Sequence, residues 1–183
     1  MTDINKIIKA DLYRYGGLTS ILRGFRKEGF QYRFFFRKAS NYKKFSPLGF
    51  FYGLIIRRLS HKYGFQIPVN TQIGEGFYIG HFGTIVINSE VTIGYNCNIA
   101  HSTTIGQVSS GKLKGCPNIG DYVWIGTGSV IVGNINIGSN VFIAPNTFVS
   151  MDVPDNSIVI GNPAKIIERK NATEGSINFI LKN

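Results

Sequence analysis

Cysteine, tryptophan and acidic residues are scarce in this 183-residue chain. The two cysteines, Cys97 and Cys116, are too few for a disulfide framework at this length and suit a reducing compartment. No run of about 18 apolar residues occurs, so no transmembrane helix is expected. The N-terminus lacks the apolar h-region of a secretory signal. Cytoplasmic residence is therefore expected. The shortage of acid gives 20 Lys/Arg against 10 Asp/Glu, a net charge of +10, and the excess is local. Residues 1–63 hold 14 basic against 3 acidic side chains, and the remainder hold 6 against 7. The same segment holds 14 of the 24 aromatic residues. No nucleic-acid motif accompanies this basic, aromatic stretch, so no nucleic-acid partner is expected. Arg23, Arg26, Lys27, Arg33, Arg37, Lys38, Lys43 and Lys44 could instead meet an anionic inner membrane surface. The plainer reading is a helical cap over the end of the repeat that follows, with its basic face in solvent.

That repeat is the strongest feature present. Isoleucine or valine recurs every six residues: Ile67, Ile73, Ile79 and Ile85, then Ile93, Ile99 and Ile105, then Ile119, Ile125, Ile131, Ile137, Ile143 and Val149. Glycine often follows directly. Four places beyond the aliphatic stand small or aliphatic residues: Thr71, Cys97, Thr103, Ser129, Val141 and Thr147. A period of six is not a helical stripe, which needs about 3.6. Short strands with a tight corner every six residues account for both the aliphatics and the glycines. Three such strands close a triangular coil. The expected fold is mainly β, a left-handed parallel β-helix of hexapeptide repeats with an N-terminal α-helical region.

Two breaks in the period are informative. Ile85 and Ile93 are eight apart, a two-residue insertion; Ile105 and Ile119 are fourteen apart, so residues of about 107–118 form an extruded loop. Three regions result: a basic, aromatic-rich helical region over 1–63, a β-helix domain over 64–170 of about four coils, and a loose C-terminal tail over 171–183. Within the first, helices are expected around Asn5–Arg14, Thr19–Lys27 and Leu48–Tyr63. In the last of these, Leu48, Phe51, Tyr52, Ile55, Ile56 and Leu59 form an apolar face.

The segments Gly64-Phe65-Gln66-Ile67, Tyr78 to Asn88, Lys114 to Gly120 and Gly161-Asn162-Pro163-Ala164-Lys165 resemble the serine acetyltransferase group of hexapeptide acyltransferases. Within that group the chain most resembles the branch that acetylates capsule, colanic-acid or O-antigen sugars. The resemblance implies a homotrimer with sites between neighbouring β-helices, acetyl-CoA as donor, a hydroxyl acceptor and no metal. It places the catalytic histidine at His81. It implies that Gly126, Thr127, Gly128, Ala144 and Pro145 line the pantetheine arm, with Gly161, Asn162, Lys165 and Arg169 toward the phosphates. It implies that Gln66, Gly80, Asn88, His101 and Cys116 border the acceptor. Gln66 and Gly80 stand where the serine enzymes carry aspartates, and Gly115 and Cys116 where they carry arginine and histidine. The expected acceptor is accordingly a saccharide rather than free serine, with serine or another small molecule as the alternative.

Acyl transfer to a hydroxyl needs a base, and neutral imidazole serves near pH 7. Of the three histidines, His61 lies in the basic region, whereas His81 and His101 each stand two places after an in-register isoleucine. Twenty residues apart, they are expected to stack on one corner about 5 Å apart at the backbone. A backbone carbonyl, Gln66 or Asn88 is expected to orient His81. Cys116 has no histidine near it in sequence and reads as a pocket residue rather than a nucleophile. Cys97 reads as core. Trp124 has two readings, stacking on adenine or packing against a neighbouring protomer. A non-acyl role on the same fold, scaffold or metal-dependent, remains the third class; zinc asks for three ligands where the repeat offers two histidines.

Overall fold

The computed structural model of the chain describes residues 3–43 and 45–181; Lys44 lies outside them. Four helices precede the repeat: α1 (Ile4–Tyr13), α2 (Ile21–Gly24), α3 (Glu28–Asn41) and α4 (Pro47–Tyr63). Asp3 caps α1, its carboxylate accepting from the Asn5 N–H at 2.9 Å, and Ser46 caps α4 through the Gly49 N–H at 3.0 Å. Gly64 ends α4 in the left-handed conformation, φ 78°, which a residue without Cβ adopts freely.

The chain then coils. One face stacks β1 (Phe65–Gln66), β4 (Ile85–Ile87), β7 (Thr103–Gly106), β10 (Val130–Val132) and β13 (Phe148–Val149). A second stacks β2 (Gln72–Ile73), β5 (Thr92–Ile93), β8 (Asn118–Ile119) and β11 (Asn136–Ile137). The third stacks β3 (Tyr78–Ile79), β6 (Asn98–Ile99), β9 (Trp124–Ile125), β12 (Val141–Ile143) and β14 (Ser157–Ile160), closed by the antiparallel β15 (Lys165–Glu168). All pairings between successive coils are parallel. The result is a parallel β-helix of five coils, one more than expected, because β13, the bridge of Val153 to Ile137 and β14 complete a further coil after Ile143.

All thirteen expected aliphatics are buried. Each such burial contributes about 1.5–3 kcal/mol, so the inner column is the main source of stability. The small-residue slot serves the corners: the Thr103 hydroxyl donates to the Ala100 carbonyl at 2.8 Å, and the Ser129 hydroxyl to the Ala144 carbonyl at 3.0 Å. The two-residue insertion sits elsewhere than expected. Ile87 pairs with Ile105 and Ile85 with Thr103, so Ile87 holds the repeat position. The extra residues therefore lie in the corner between β3 and β4, around His81-Phe82-Gly83. Ile85 and Ile87 are both buried, which is why spacing alone misplaced the insertion.

Two expectations about the ends change. The helix α3 was not anticipated, because Arg33 and Arg37 stand on its buried face among Phe30, Tyr32 and Phe36. Their charge meets Asp11 of α1, buried at 1% exposure: Arg37 Nε lies 2.9 Å and Arg33 Nη2 3.3 Å from its carboxylate. Arg37 also donates to the carbonyls of Ile73 at 2.6 Å and Gly74 at 2.5 Å. Arg14 donates to Gly76 O and Asn98 Oδ1, both at 2.6 Å. Arg14 and Arg37 thus pin the helices to the first coils and Arg33 ties α3 to α1, instead of forming a solvated or membrane-facing surface. Burial lowers the Arg33 pKa to about 10, with Arg37 adding repulsion and Asp11 opposing it. The tail is also not loose. Thr173 donates to Asn140 Oδ1 through its N–H at 3.2 Å and its hydroxyl at 2.7 Å, the Ser176 carbonyl accepts from Asn98, and the Asn178 carbonyl accepts from Arg14. It straps back along the third face to α1.

Candidate functional site

The pairings Ile79–Ile99–Ile125–Ile143–Val159 run down the third face in register. The residues two places further on are His81, His101, Thr127, Pro145 and Gly161. These form one ridge at the corner leading to the first face. Most of the residues expected at the site fall on or beside this ridge, since Gly80, Gly126 and Ala144 stand one place before and Gly128 one place after.

At the top of the ridge His81 is exposed, lifted outward by the insertion. Its ring meets that of His101 edge-on, with centroids 5.8 Å apart and planes at 90°. The two histidines stack as their spacing predicted. The backbone of His101 is fixed from the coil below: its carbonyl accepts from the Thr127 hydroxyl at 2.9 Å and the Gly128 N–H at 3.2 Å. Its Nδ1 is buried without a hydrogen-bond partner among the described residues. Gly83, at φ 132°, permits this closeness, since a Cβ there would stand 3.1 Å from His101 Cβ. Gln66 and Asn88 do not orient His81 within one chain. Gln66 lies mid-face beside Val86, and Asn88 lies at the opposite end of β4 with its Oδ1 accepting from Glu90 N–H at 2.9 Å.

Lower on the ridge, roles separate. Gly126 is needed for stacking, since a Cβ would come within 2.5 Å of Pro145 N, and Gly128 abuts the Asn146 side chain. Pro145, Gly161 and Asn162 are exposed, and Thr127 is half-buried. The hairpin β14–β15 pairs Ile160 with Lys165 and Ser157 with Glu168. Lys165 therefore stays with the ridge, whereas Arg169 is carried to the far edge of the third face, its N–H bonded to Asn156 O. Trp124 stacks on Phe142 of the next coil at 4.4 Å with planes 1° apart. This accounts for Trp124 within the chain.

The loop leaves after β7 and is tied at its neck by Val108 and Gly115, each N–H bonded to the other's carbonyl at 3.0 Å. Cys116 lies there, buried, its Sγ 4.0 Å from Glu90 Oε2. Burial and then Glu90 push its thiol pKa up, which disfavours the thiolate that a nucleophile needs. Cys97 is core, and burial raises its pKa to about 12. Among the described residues, no third histidine, cysteine or carboxylate joins His81 and His101 as a metal-binding group.

One cavity near the ridge escaped the sequence. Beside Gly80 a cavity of about 320 Å³ opens between the helices and the first coil, lined by Tyr15, Gly16, Lys27, Glu28 and Gly29 on one side and Tyr78, Ile79 and Gly80 on the other. Gly29 lets α3 approach, as a Cβ there would collide with Ile79 O and the Tyr15 hydroxyl. Only the adjacent opposite charges of Lys27 and Glu28 could have hinted at it, and such pairs are common at helix starts.

The bacterial transferase hexapeptide family (six repeats) matches residues 117–150. The serine acetyltransferase of Staphylococcus epidermidis is 39% identical over 107 residues, covering 58% of this chain and 50% of that protein. Among solved structures, the Neisseria gonorrhoeae serine acetyltransferase in complex with serine superposes with a TM-score of 0.70 at 30% identity, covering 91% of this chain and 69% of that one. The Brucella abortus serine acetyltransferase in complex with coenzyme A gives 0.73 at 27% identity, covering 91% and 66%. The chain spans about a third to a half of the length of the curated relatives it matches. These relatives overturn the expectation of a saccharide acceptor. That expectation rested on side-chain departures at Gln66, Gly80 and Cys116, set in a backbone that follows the serine enzymes over nine-tenths of the chain. The chain belongs to the hexapeptide-repeat transferases and is a homologue of the serine acetyltransferases.

Proposed function

We propose that the chain is an acetyl-CoA-dependent O-acetyltransferase acting on the hydroxyl of serine. The observation that carries this reading is the ridge: an exposed histidine at its head, a partner histidine behind it, and exposed small residues below it over four strand spacings, about 19 Å. That length matches an extended pantetheine arm. Thr127, Pro145 and Gly161 would lie along the arm, with Lys165 toward the phosphates. Arg169 is left outside this contact.

In the reaction His81 takes the proton of the acceptor hydroxyl as its oxygen attacks the thioester carbonyl. The tetrahedral intermediate collapses, the carbon–sulfur bond breaks, and the protonated His81 returns its proton to the leaving thiolate. The edge-on contact of His101 holds the His81 ring, a positioning role. No acetyl-enzyme forms, in keeping with the raised pKa of Cys116. We further propose a homotrimer in which a neighbour's β-helix brings its loop-side residues Gln66, Asn88 and Cys116 toward this ridge, since one chain holds them away from His81. Light scattering at the mass of three chains tests this, and a monomeric active enzyme would contradict it.

Thiol release from acetyl-CoA with serine, together with the mass of the acetylated product, tests the reaction. Release without acetylated serine would refute the acceptor. A second proposal concerns location. Leu48, Phe50, Phe51 and Leu54 of α4 are exposed, beside Arg57 and Arg58, which suits peripheral contact with an anionic bilayer. Among the described residues no helix is long and apolar enough to cross a membrane. Co-sedimentation with phosphatidylglycerol vesicles, lost in Phe50→Ser/Phe51→Ser, tests it.

A further inference from the structure

His81 stands on the two-residue insertion, and among the described residues its side chain makes no hydrogen bond; its ring contact is the edge-on one with His101. The direction of the ring therefore depends on the backbone to either side. The helical region holds that backbone at both ends. Ahead of the corner, β3 ends the third face and pairs with β6 alone. The N–H groups of Tyr78 and Gly80 bond Cys97 O at 2.9 Å and Ile99 O at 3.4 Å. The N–H and carbonyl of Ile79, between them, therefore face the open edge of the sheet, where each needs a partner. Tyr15 stands in for a further strand: its hydroxyl donates to Ile79 O at 3.1 Å and accepts from Ile79 N–H at 3.3 Å. Beyond the corner, the Gly83 N–H bonds Tyr63 O, in the last turn of α4, at 2.9 Å.

Tyr15 is itself immobilised. It is buried, and its ring packs on Tyr78 with centroids 4.7 Å apart and edge-on to Phe30 at 6.0 Å. Burial also pushes its phenol pKa up, so it keeps the proton that it donates. Resting on the reading of His81 as base, we infer that Tyr15 is a positioning residue for acetyl transfer: its hydroxyl fixes Ile79 and so aims the His81 ring, two residues on. The helical region then acts on turnover rather than only covering the end of the repeat. Tyr32 supplies the contrast within the same molecule. Its hydroxyl also ties α3 to a repeat carbonyl, Ile67 O at 3.2 Å, but at the corner leading from the first face to the second, away from His81.

The test compares Tyr15→Phe with Tyr32→Phe in the whole chain, each variant keeping the ring and losing one hydroxyl. Tyr15→Phe should lower kcat with serine about ten- to a hundredfold, because a base displaced by about 1 Å loses that much. Its KM for acetyl-CoA should stay within about twofold, since the ridge below His101 is untouched. Tyr32→Phe should leave kcat within about twofold while lowering the melting temperature to a similar extent, since each variant strips a buried carbonyl of its donor. The proton signal of the His81 ring, assigned by its loss in His81→Ala, should move in Tyr15→Phe and not in Tyr32→Phe. In a His81→Ala background, adding Tyr15→Phe should lower the residual turnover no further, because the two residues act as one unit. An unmoved His81 signal with unchanged kcat in Tyr15→Phe would refute the positioning role, and so would equal losses of kcat in the two tyrosine variants. Either result leaves the base reading intact if His81→Ala has lost its activity. Retention of more than about a tenth of the activity in His81→Ala would overturn the base reading, and the positioning role with it.

Discussion

In the β-helix, thirteen aliphatic residues at a near-constant spacing all do one job, whereas in the helical region one aspartate and three arginines each do a different one. The repeat is redundant. Each inner residue touches its own coil and the two beside it, and losing one leaves twelve. The helical region has no such redundancy. Its position depends on Asp11 meeting Arg33 and Arg37, and on Arg14 and Arg37 reaching carbonyls of the first coils. Buried charge of this kind adds little net stability when complete and costs much when broken. The two regions meet at Ile79, whose backbone bonds the Tyr15 hydroxyl two residues before His81, so the corner lies against a cap with few, unshared contacts.

The sharpest way to separate the two regions is at the corner itself. His81→Ala is expected to lower kcat about a hundred- to ten-thousandfold with the melting temperature unchanged, because the side chain projects from the repeat. Retention of more than about a tenth of the activity would remove His81 as base. Next comes Asp11→Ala, which leaves two buried guanidinium groups without their carboxylate and should cost about 3–5 kcal/mol. The loss should be seen in urea as an early transition carrying helical circular dichroism, ahead of the β-helix. A single unaltered transition would show that the cap is not held as described. Ile143→Val, in the middle of the repeat, should cost only about 0.5–1.5 kcal/mol and leave acetylation unchanged.

The smallest effect concerns the thiols and is read by pH. Burial holds the folded Cys97 pKa at about 12, above its ordinary 9.0. The folded state therefore keeps a proton that the unfolded chain releases. This contribution is complete below about pH 9 and is lost as pH rises toward 12. Cys97→Ser should flatten that part of the alkaline decline in melting temperature. Cys97 should also stay inert to a thiol reagent at pH 8, while Cys116, near the loop neck, reacts slowly.

The same contrast explains what could be read from the sequence. A hexapeptide period is a local pattern repeated many times, so the coil, the inner column and the stacking of His81 on His101 were all legible. The position of the insertion was not, because Ile85 and Ile87 satisfy the pattern equally. The helix α3 was hidden by Arg33 and Arg37, whose burial depends on Asp11, 22 and 26 residues earlier. The tail was hidden because it is held by polar contacts to Asn140, Asn98 and Arg14 rather than by an apolar stripe. The acceptor was misjudged for a related reason. The departures at Gln66, Gly80 and Cys116 are local to the repeat, whereas the likeness to the serine enzymes runs over nine-tenths of the chain.

The central claim is that His81, at the head of the corner ridge, moves the proton in acetyl transfer to serine. Its most direct test is thiol release from acetyl-CoA in the presence of serine, measured side by side for the parent chain and His81→Ala. The account predicts release with formation of acetylated serine in the parent, and loss of both in the variant with coenzyme A still bound. Equal release from the two proteins, or none from the parent with serine, would contradict it.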